Sequence, residues 1–432
     1  MPVKKIVALL IVTALSLAAC SHATTPAPVA GPGSEPASGE VISPGPSPSS
    51  PSPSPSRTPR AAKKVAGPRD RPVAAGTYEI AYDVTGASSL KTVLAGARAR
   101  LRKSTGLAIY LRNGTTLNAD DLAAVQKLGI TTMSRLYIYN LTSLPGGKEC
   151  TPASGLACAG QTARGGRFPY LWFNGWWDSW VKDLVLDDLT AIKQGAFSNT
   201  AFRTVSFKSA TSVGPMAFGH GPHSPLAHLY LPSVRTIGHD AFRRNQYLET
   251  VDLPNAVKID DFAFDDNDRL VRITAPRLRS IGRNSLNDTH SLKTVEFPKL
   301  TYMGINCFDL NSAMTSLSLP SLTYLDKNAL AGLSRLKTFT APRLKFAAEG
   351  SMANHPALTK IVAPRLATLQ NYALGGNPAL TELHLGSTVP TQAGTPFAGD
   401  DATKLRIYYT GKPSTWSAFV PAGLSKVPLV KE

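Results

Sequence analysis

The sequence predicts an α/β solenoid: a stack of parallel strands with short helical or irregular connections and a cap at each end. A unit of 22 residues recurs almost without drift, most plainly at Leu248–Pro276 as LETVDLPNAVKIDDFAFDDNDRLVRITAP. Prolines fall at 232, 254, 276, 298, 320, 342 and 364, and six positions before each stands Leu226, Leu248, Leu270, Leu292, Met314, Leu336 or Leu358. Within a unit, positions 1, 4 and 6 are apolar (Leu248, Val251, Leu253), as in a short strand with one face turned inward. A repeated layer of this kind has two open faces that only stacking closes, so 432 residues form an array and not one ordinary core.

In chain order, residues 1–20 read as a lipoprotein signal. Lys4 and Lys5 precede an apolar run, Ile6–Leu17, which at 12 residues is too short to span a bilayer, where about 20 are needed. The run ends in Leu17-Ala18-Ala19-Cys20, which resembles the lipobox of bacterial lipoproteins, and the resemblance implies lipidation of Cys20. Residues 21–75 are Pro, Ser, Ala and Gly with few large apolar side chains, a composition that cannot offset its ordering entropy and so reads as a disordered tether. In polyproline II form such a segment reaches on the order of 150 Å.

Residues 76–180 read as an N-terminal cap. Leu90–Leu101 is a helix candidate, Gly106–Gly114 a strand, Asn118–Leu128 a helix behind a capping Asn, and Arg135–Leu141 a second strand. Cys150 and Cys158, eight apart in a Gly/Pro-rich loop, suit a short disulfide on the oxidising side of a membrane. Phe168–Trp180, FPYLWFNGWWDSW, holds Trp172, Trp176, Trp177 and Trp180. It reads either as an apolar plug for the open end of the stack or as a platform for sugars.

The array occupies 181–397. Its first units start at Val181, Phe202 and Leu226, and the even beat begins at Leu226. Proline ends each strand, having no N–H to offer a ladder. The second half of a unit supplies inward residues such as Ile259, Ala263 and Phe264. Cys307 takes the slot of Ala241, Ala263 and Ala329, which makes it a buried, inert thiol. The pattern L-x-x-[VI]-x-[LFA]-P followed by I-x-x-x-A-F resembles the BspA-like class of leucine-rich repeats found in bacterial surface proteins. That resemblance implies a curved or gently twisted solenoid and a role in binding or adhesion, and it brings no fixed set of functional residues. The tail over 398–432 is similar to the closing cap of the same family, a last strand followed by a Trp-containing segment.

The formal charge of +17 invites a nucleic-acid reading, yet the excess is spread over every segment of the chain and forms no single footprint. Together with the secretory signal this excludes nucleic acid as a partner. No G-x-S-x-G elbow, P-loop, HExxH or Gly-rich dinucleotide turn is present, so the sequence points to no enzyme, no cofactor and no metal. His220, His223 and His228 sit together, but the Gly and Pro around them read as an ordinary loop. The strand register brings His228, Tyr230, Glu249, Asp252, Arg272 and Glu296 onto adjacent units, a candidate recognition patch. Arg277, Lys299, Arg343 and Arg365 follow successive prolines and form a candidate basic ridge for a polyanion, or simply solvated turns.

These features predict a protein lipid-anchored to the outer face of a bacterial membrane that binds a macromolecule, protein or glycan, in the cell envelope. Two alternatives stand beside it. One is a wall-associated structural protein that holds anionic polysaccharide, and the other a surface enzyme with its activity in residues 76–180.

Overall fold

The computed structural model describes residues 71, 73–144, 181–198, 200–219, 224–424 and 426–432. Cys20, most of the tether, Cys150 and Cys158, the four tryptophans of 168–180, His220 and His223 lie outside the described residues.

The entry region is the first part of the same stack. Strands β1 (Thr77–Asp83), β2 (Gly106–Arg112), β3 (Arg135–Tyr139), β4 (Asp183–Val185) and β5 (Thr204–Ser206) pair in parallel, each with the next. Helices α1 (Leu90–Leu101) and α2 (Ala119–Gln126) connect the first three. Ser89 caps α1 by accepting the Thr92 N–H. Asn118 and Asp121 form a reciprocal capping box on α2, satisfying two amides that a helix start otherwise leaves bare. β1 is the one element here that the sequence reading leaves out. The folded region also begins earlier than 76, because Arg71 and Val73, inside the stretch read as tether, pack against the strand tyrosines.

From unit 226 onward each repeat places two strands. The first, three residues long, turns its middle residue inward: Leu229, Val251, Ile273, Leu317, Phe339, Ile361 and Leu383 are all buried. The second, two residues long, buries Ile237, Ile259, Ile281, Met303, Leu325, Ala347 and Leu369. This second row stands where the sequence reading expected helical or irregular connections. It runs unbroken as nine strands from Ser212–Val213 to Thr391–Gln392. The first row pairs as five, four and six strands, interrupted before His228–Tyr230 and again between Thr294–Glu296 and Ser316–Ser318. The first interruption falls where the spacing lengthens to 24 residues between Phe202 and Leu226.

Between the rows the backbone enters the left-handed region at Asp240, Phe262, Asn284, Asn306, Asn328 and Tyr372, one residue before the pair that carries the inward small side chain begins its turn. Behind it Phe197, Phe218, Phe242 and Phe264 stack with centroids 5.0–5.2 Å apart. Cys307 is fully buried in this layer as a free thiol whose ionisation burial disfavours. A ladder of buried amides ties the layers. Asn245, Asn267 and Asn311 each donate to a carbonyl of their own unit and one of the unit before, at 2.7–3.1 Å. The stack closes on strand Arg406–Tyr409, helix Pro413–Trp416 and a last parallel strand, Leu429–Lys431, and fully buried Trp416 lies 5.0 Å from the Tyr409 ring.

Candidate functional site

Strand alternation decides what the outer face of the first row displays. In β2 Leu107, Ile109 and Leu111 point into the main core, so Ala108 and Tyr110 lie on the opposite face, where with Tyr139 they are buried in a small second cluster against which Val73, Tyr137 and Val185 pack. In β3 the same rule turns Tyr137 and Tyr139 outward. Tyr110 and Tyr139 stack at 4.9 Å, and the Arg71 guanidinium sits over the Tyr139 ring, 5.0 Å from its centroid. Beside these rings lies a cleft of about 420 Å³ lined by Arg71, Tyr137, Tyr139, Asp187, Asp188 and Lys208 among others.

Every charge in this cleft is held. Arg71 pairs with Asp188 at 2.6 Å, and the left-handed turn at Asn140 aims its N–H at the same carboxylate, 2.7 Å away. Lys208 pairs with Asp187 at 2.8 Å, and the Ser206 hydroxyl donates to Asp187 at 2.5 Å. Burial, with Asp187 adding to it, pushes the Tyr139 hydroxyl up to about 12, so it stays a neutral donor and acceptor. With two carboxylates against two cations, the cleft presents fixed polar groups beside aromatic surface without a net charge of its own.

The patch expected from the register lies on the same outer face, beginning one strand beyond β5. His228 is exposed and its Nδ1 meets the Thr250 hydroxyl at 2.9 Å, while Tyr230 is 60 % exposed. Arg272 forks onto Asp252 at 3.1 and 3.2 Å and donates to the Thr274 hydroxyl at 2.7 Å. Glu296 is exposed at the far edge of this four-stranded sheet, and Glu249 is exposed one residue ahead of its strand. The structure therefore brings His228, Tyr230, Asp252 and Arg272 together, with the two glutamates at the margins.

Arg277, Lys299, Arg343 and Arg365 are exposed at the corners between the two rows, and none of them pairs with a carboxylate among the described residues. Ser321 interrupts the column. In the entry region, Asp83 and Asp121 are committed to local bonds with Asn113, Thr85, Asn118 and Tyr82. Asp268, Asp288 and His290 form an exposed turn cluster in which His290 Nδ1 lies 2.9 and 3.1 Å from the two carboxylates.

Sequence reasoning misses Arg71, Tyr137, Tyr139, Asp187, Asp188 and Lys208. The alternation in LYIY would have turned both tyrosines outward. Arg71 carries no such signal, because its composition is that of the tether around it.

A family model described as the BspA type leucine rich repeat region matches the chain in six copies, over residues 181–277, 235–358 and 301–410. The chain belongs to that family. Proteins of the BspA-type repeat family are cell-surface proteins, and their repeats serve in binding or surface roles. Among solved structures, a leucine-rich repeat protein from Bacteroides ovatus is 18 % identical, with 48 % of this chain and 69 % of that one covered and a TM-score of 0.28. The pneumococcal vaccine antigen PcpA is 13 % identical, with 58 % and 79 % covered and a TM-score of 0.28. A leucine rich cell surface protein from Faecalibacterium prausnitzii is 17 % identical, with 66 % and 91 % covered and a TM-score of 0.31. No curated protein matches the chain in sequence. Among the described residues no helix is long and apolar enough to cross a membrane.

Proposed function

We propose that this BspA-type protein is anchored by lipid on Cys20, displayed on the cell surface, and binds a polypeptide partner on the outer face of its first strand row, from Tyr137 to Arg272. One observation carries the reading. A preformed cleft of about 420 Å³ walled by Tyr137 and Tyr139 lies on the same strand row that carries Tyr230, which is 60 % exposed on the next sheet along. Tyr and Arg are the residue types that most often dominate protein interfaces, since they offer large contact area at low entropic cost. The Arg272–Asp252 fork holds its guanidinium in place before a partner arrives.

The test is binding of the full-length chain carrying Cys20→Ser to a panel of purified matrix and cell-surface proteins. Tyr230→Ala and Lys208→Glu are each expected to weaken capture at least tenfold, or about 1.4 kcal/mol, with thermal stability unchanged. Unchanged capture in both variants overturns the reading.

The column of Arg277, Lys299, Arg343 and Arg365, which pairs with no carboxylate among the described residues, favours a second reading, retention of an anionic wall polymer along the corner of the stack. Reversing all four charges would then abolish polymer binding at low salt and leave protein capture intact. Wild-type binding that does not weaken between about 50 and 300 mM salt contradicts it, because exposed charges are screened over that range.

A further inference from the structure

The second strand row carries a column of its own. In register, Lys258, Ser280, Tyr302, Tyr324, Phe346 and Thr368 stand side by side on successive strands, with their side chains on the outer face. The three aromatic rings stack: Tyr302 on Tyr324 at 5.6 Å and Tyr324 on Phe346 at 4.8 Å, with interplanar angles of 21° and 3°. Tyr302 ends the column, 38 % exposed. The next residue in the row is Ser280, whose side chain is too small to cover an aromatic face. A cleft of about 280 Å³ opens at that point, lined by Tyr302 and Asp326 on one side and by Lys258, Asp260, Asp261 and Arg283 on the other.

We propose that this cleft binds a neutral pyranose, stacked on the free face of Tyr302. A pyranose ring has one face of C–H groups and a rim of hydroxyls, and it asks for an aromatic wall with fixed acceptors and donors around it. The cleft supplies both. The Tyr302 hydroxyl donates to Asp326 at 2.7 Å, and together with the two rings behind it this holds the wall in one orientation. Asp260 and Asp261 each accept a backbone N–H on Oδ1 and offer Oδ2 as an acceptor for a hydroxyl, and Lys258 and Arg283 provide donors. Arg283 forms no ion pair among the described residues, and Lys258 lies 3.5 Å from Asp260. Three carboxylates against two cations disfavour an acidic sugar.

Glycine lets the turns that form the floor pack closely against one another. A Cβ on Gly282 would lie 2.4 Å from the Asp261 carboxylate, and one on Gly304 would lie 2.7 Å from the Gly282 carbonyl carbon. The site is built on the second strand row, a separate sheet from the first, and does not rest on the protein-binding reading.

The test is saturation-transfer NMR of the full-length chain carrying Cys20→Ser, with methyl glucoside, galactoside, mannoside, N-acetylglucosaminide and glucuronide as probes. Transfer to at least one neutral pyranoside is expected. Tyr302→Ala should weaken it at least tenfold. Tyr302→Phe keeps the ring and should stay within a few-fold of wild type. Ser280→Tyr lengthens the ring column into the cleft and leaves Tyr302 and the charged groups in place, so it should abolish transfer while the melting temperature holds. Tyr230→Ala should leave transfer unchanged. No transfer to any neutral probe, transfer that survives Ser280→Tyr, or preference for the glucuronide overturns the proposal.

Discussion

At Leu310 the backbone turns with φ of 62° while the side chain stands 53 % exposed. Apart from Arg244, the same slot in other units holds Asp266, Asp288, Asn354, Gly332 and Gly376, residue types that tolerate the left-handed region better. A leucine there costs about 1–2 kcal/mol of backbone strain and recovers little by burial. Leu310→Asn should therefore raise stability by about 1 kcal/mol in urea denaturation, and a loss would contradict the strain argument. Single residues also show what the sequence could reveal. Cys307 was legible because its slot is small in every other unit. Tyr139 and Arg71 were less so, because LYIYNLT has no repeat partner to fix its register and the stretch around Arg71 reads as linker. A residue reveals its place when its neighbours in the repeat agree on that place, and the entry region has no such neighbours.

The buried amide ladder shows the same logic at the level of an element. The slot of Asn245, Asn267, Asn311 and Asn377 is taken by Thr289, Leu333 and His355 in the three remaining units, and the ladder ends where the Asn377 N–H donates to Asp400 at 2.7 Å. Burial pushes the His355 imidazole down to about 4 from an ordinary 6.5. The folded state then binds fewer protons than the unfolded between those values. Stability from this group is whole above about pH 6.5 and falls as pH drops towards 4, by about 3 kcal/mol in all. Burial pushes Asp400 the other way, from 3.8 up to about 7, so its contribution is whole below about pH 3.8 and falls as pH rises towards 7. The two slopes oppose each other in the native protein, and variants separate them. His355→Asn restores the ladder amide, and its advantage over wild type should grow from pH 7 to pH 4. Asp400→Asn should gain over wild type from pH 4 to pH 7. Thermal melts across that range decide both, and flat differences would contradict them. Periodicity made the first strand row legible, since positions 1, 4 and 6 repeat as one signal. The second row was hidden because a two-residue strand offers one inward side chain and no alternation to read.

For the whole molecule, the stack is a rigid frame that displays different chemistry on different faces: tyrosines, His228 and Arg272 on the first row, the Tyr302 column on the second, and cations along the corner between them. Each layer depends on its neighbours, so specificity is set by the few positions where the repeat departs from its own pattern. The proposed lipid anchor belongs to this scale. Cys20→Ser should move the protein from the membrane fraction to the soluble fraction, and persistence on membranes would contradict lipidation at that residue. The claim that the first strand row binds a polypeptide is tested most directly by photo-crosslinking on intact cells, with benzoylphenylalanine placed at Tyr230 or, as control, at Arg365. Crosslinks to a discrete polypeptide from position 230 and none from 365 are predicted. Crosslinks from 365 alone, or to no polypeptide at all from 230, would contradict the claim.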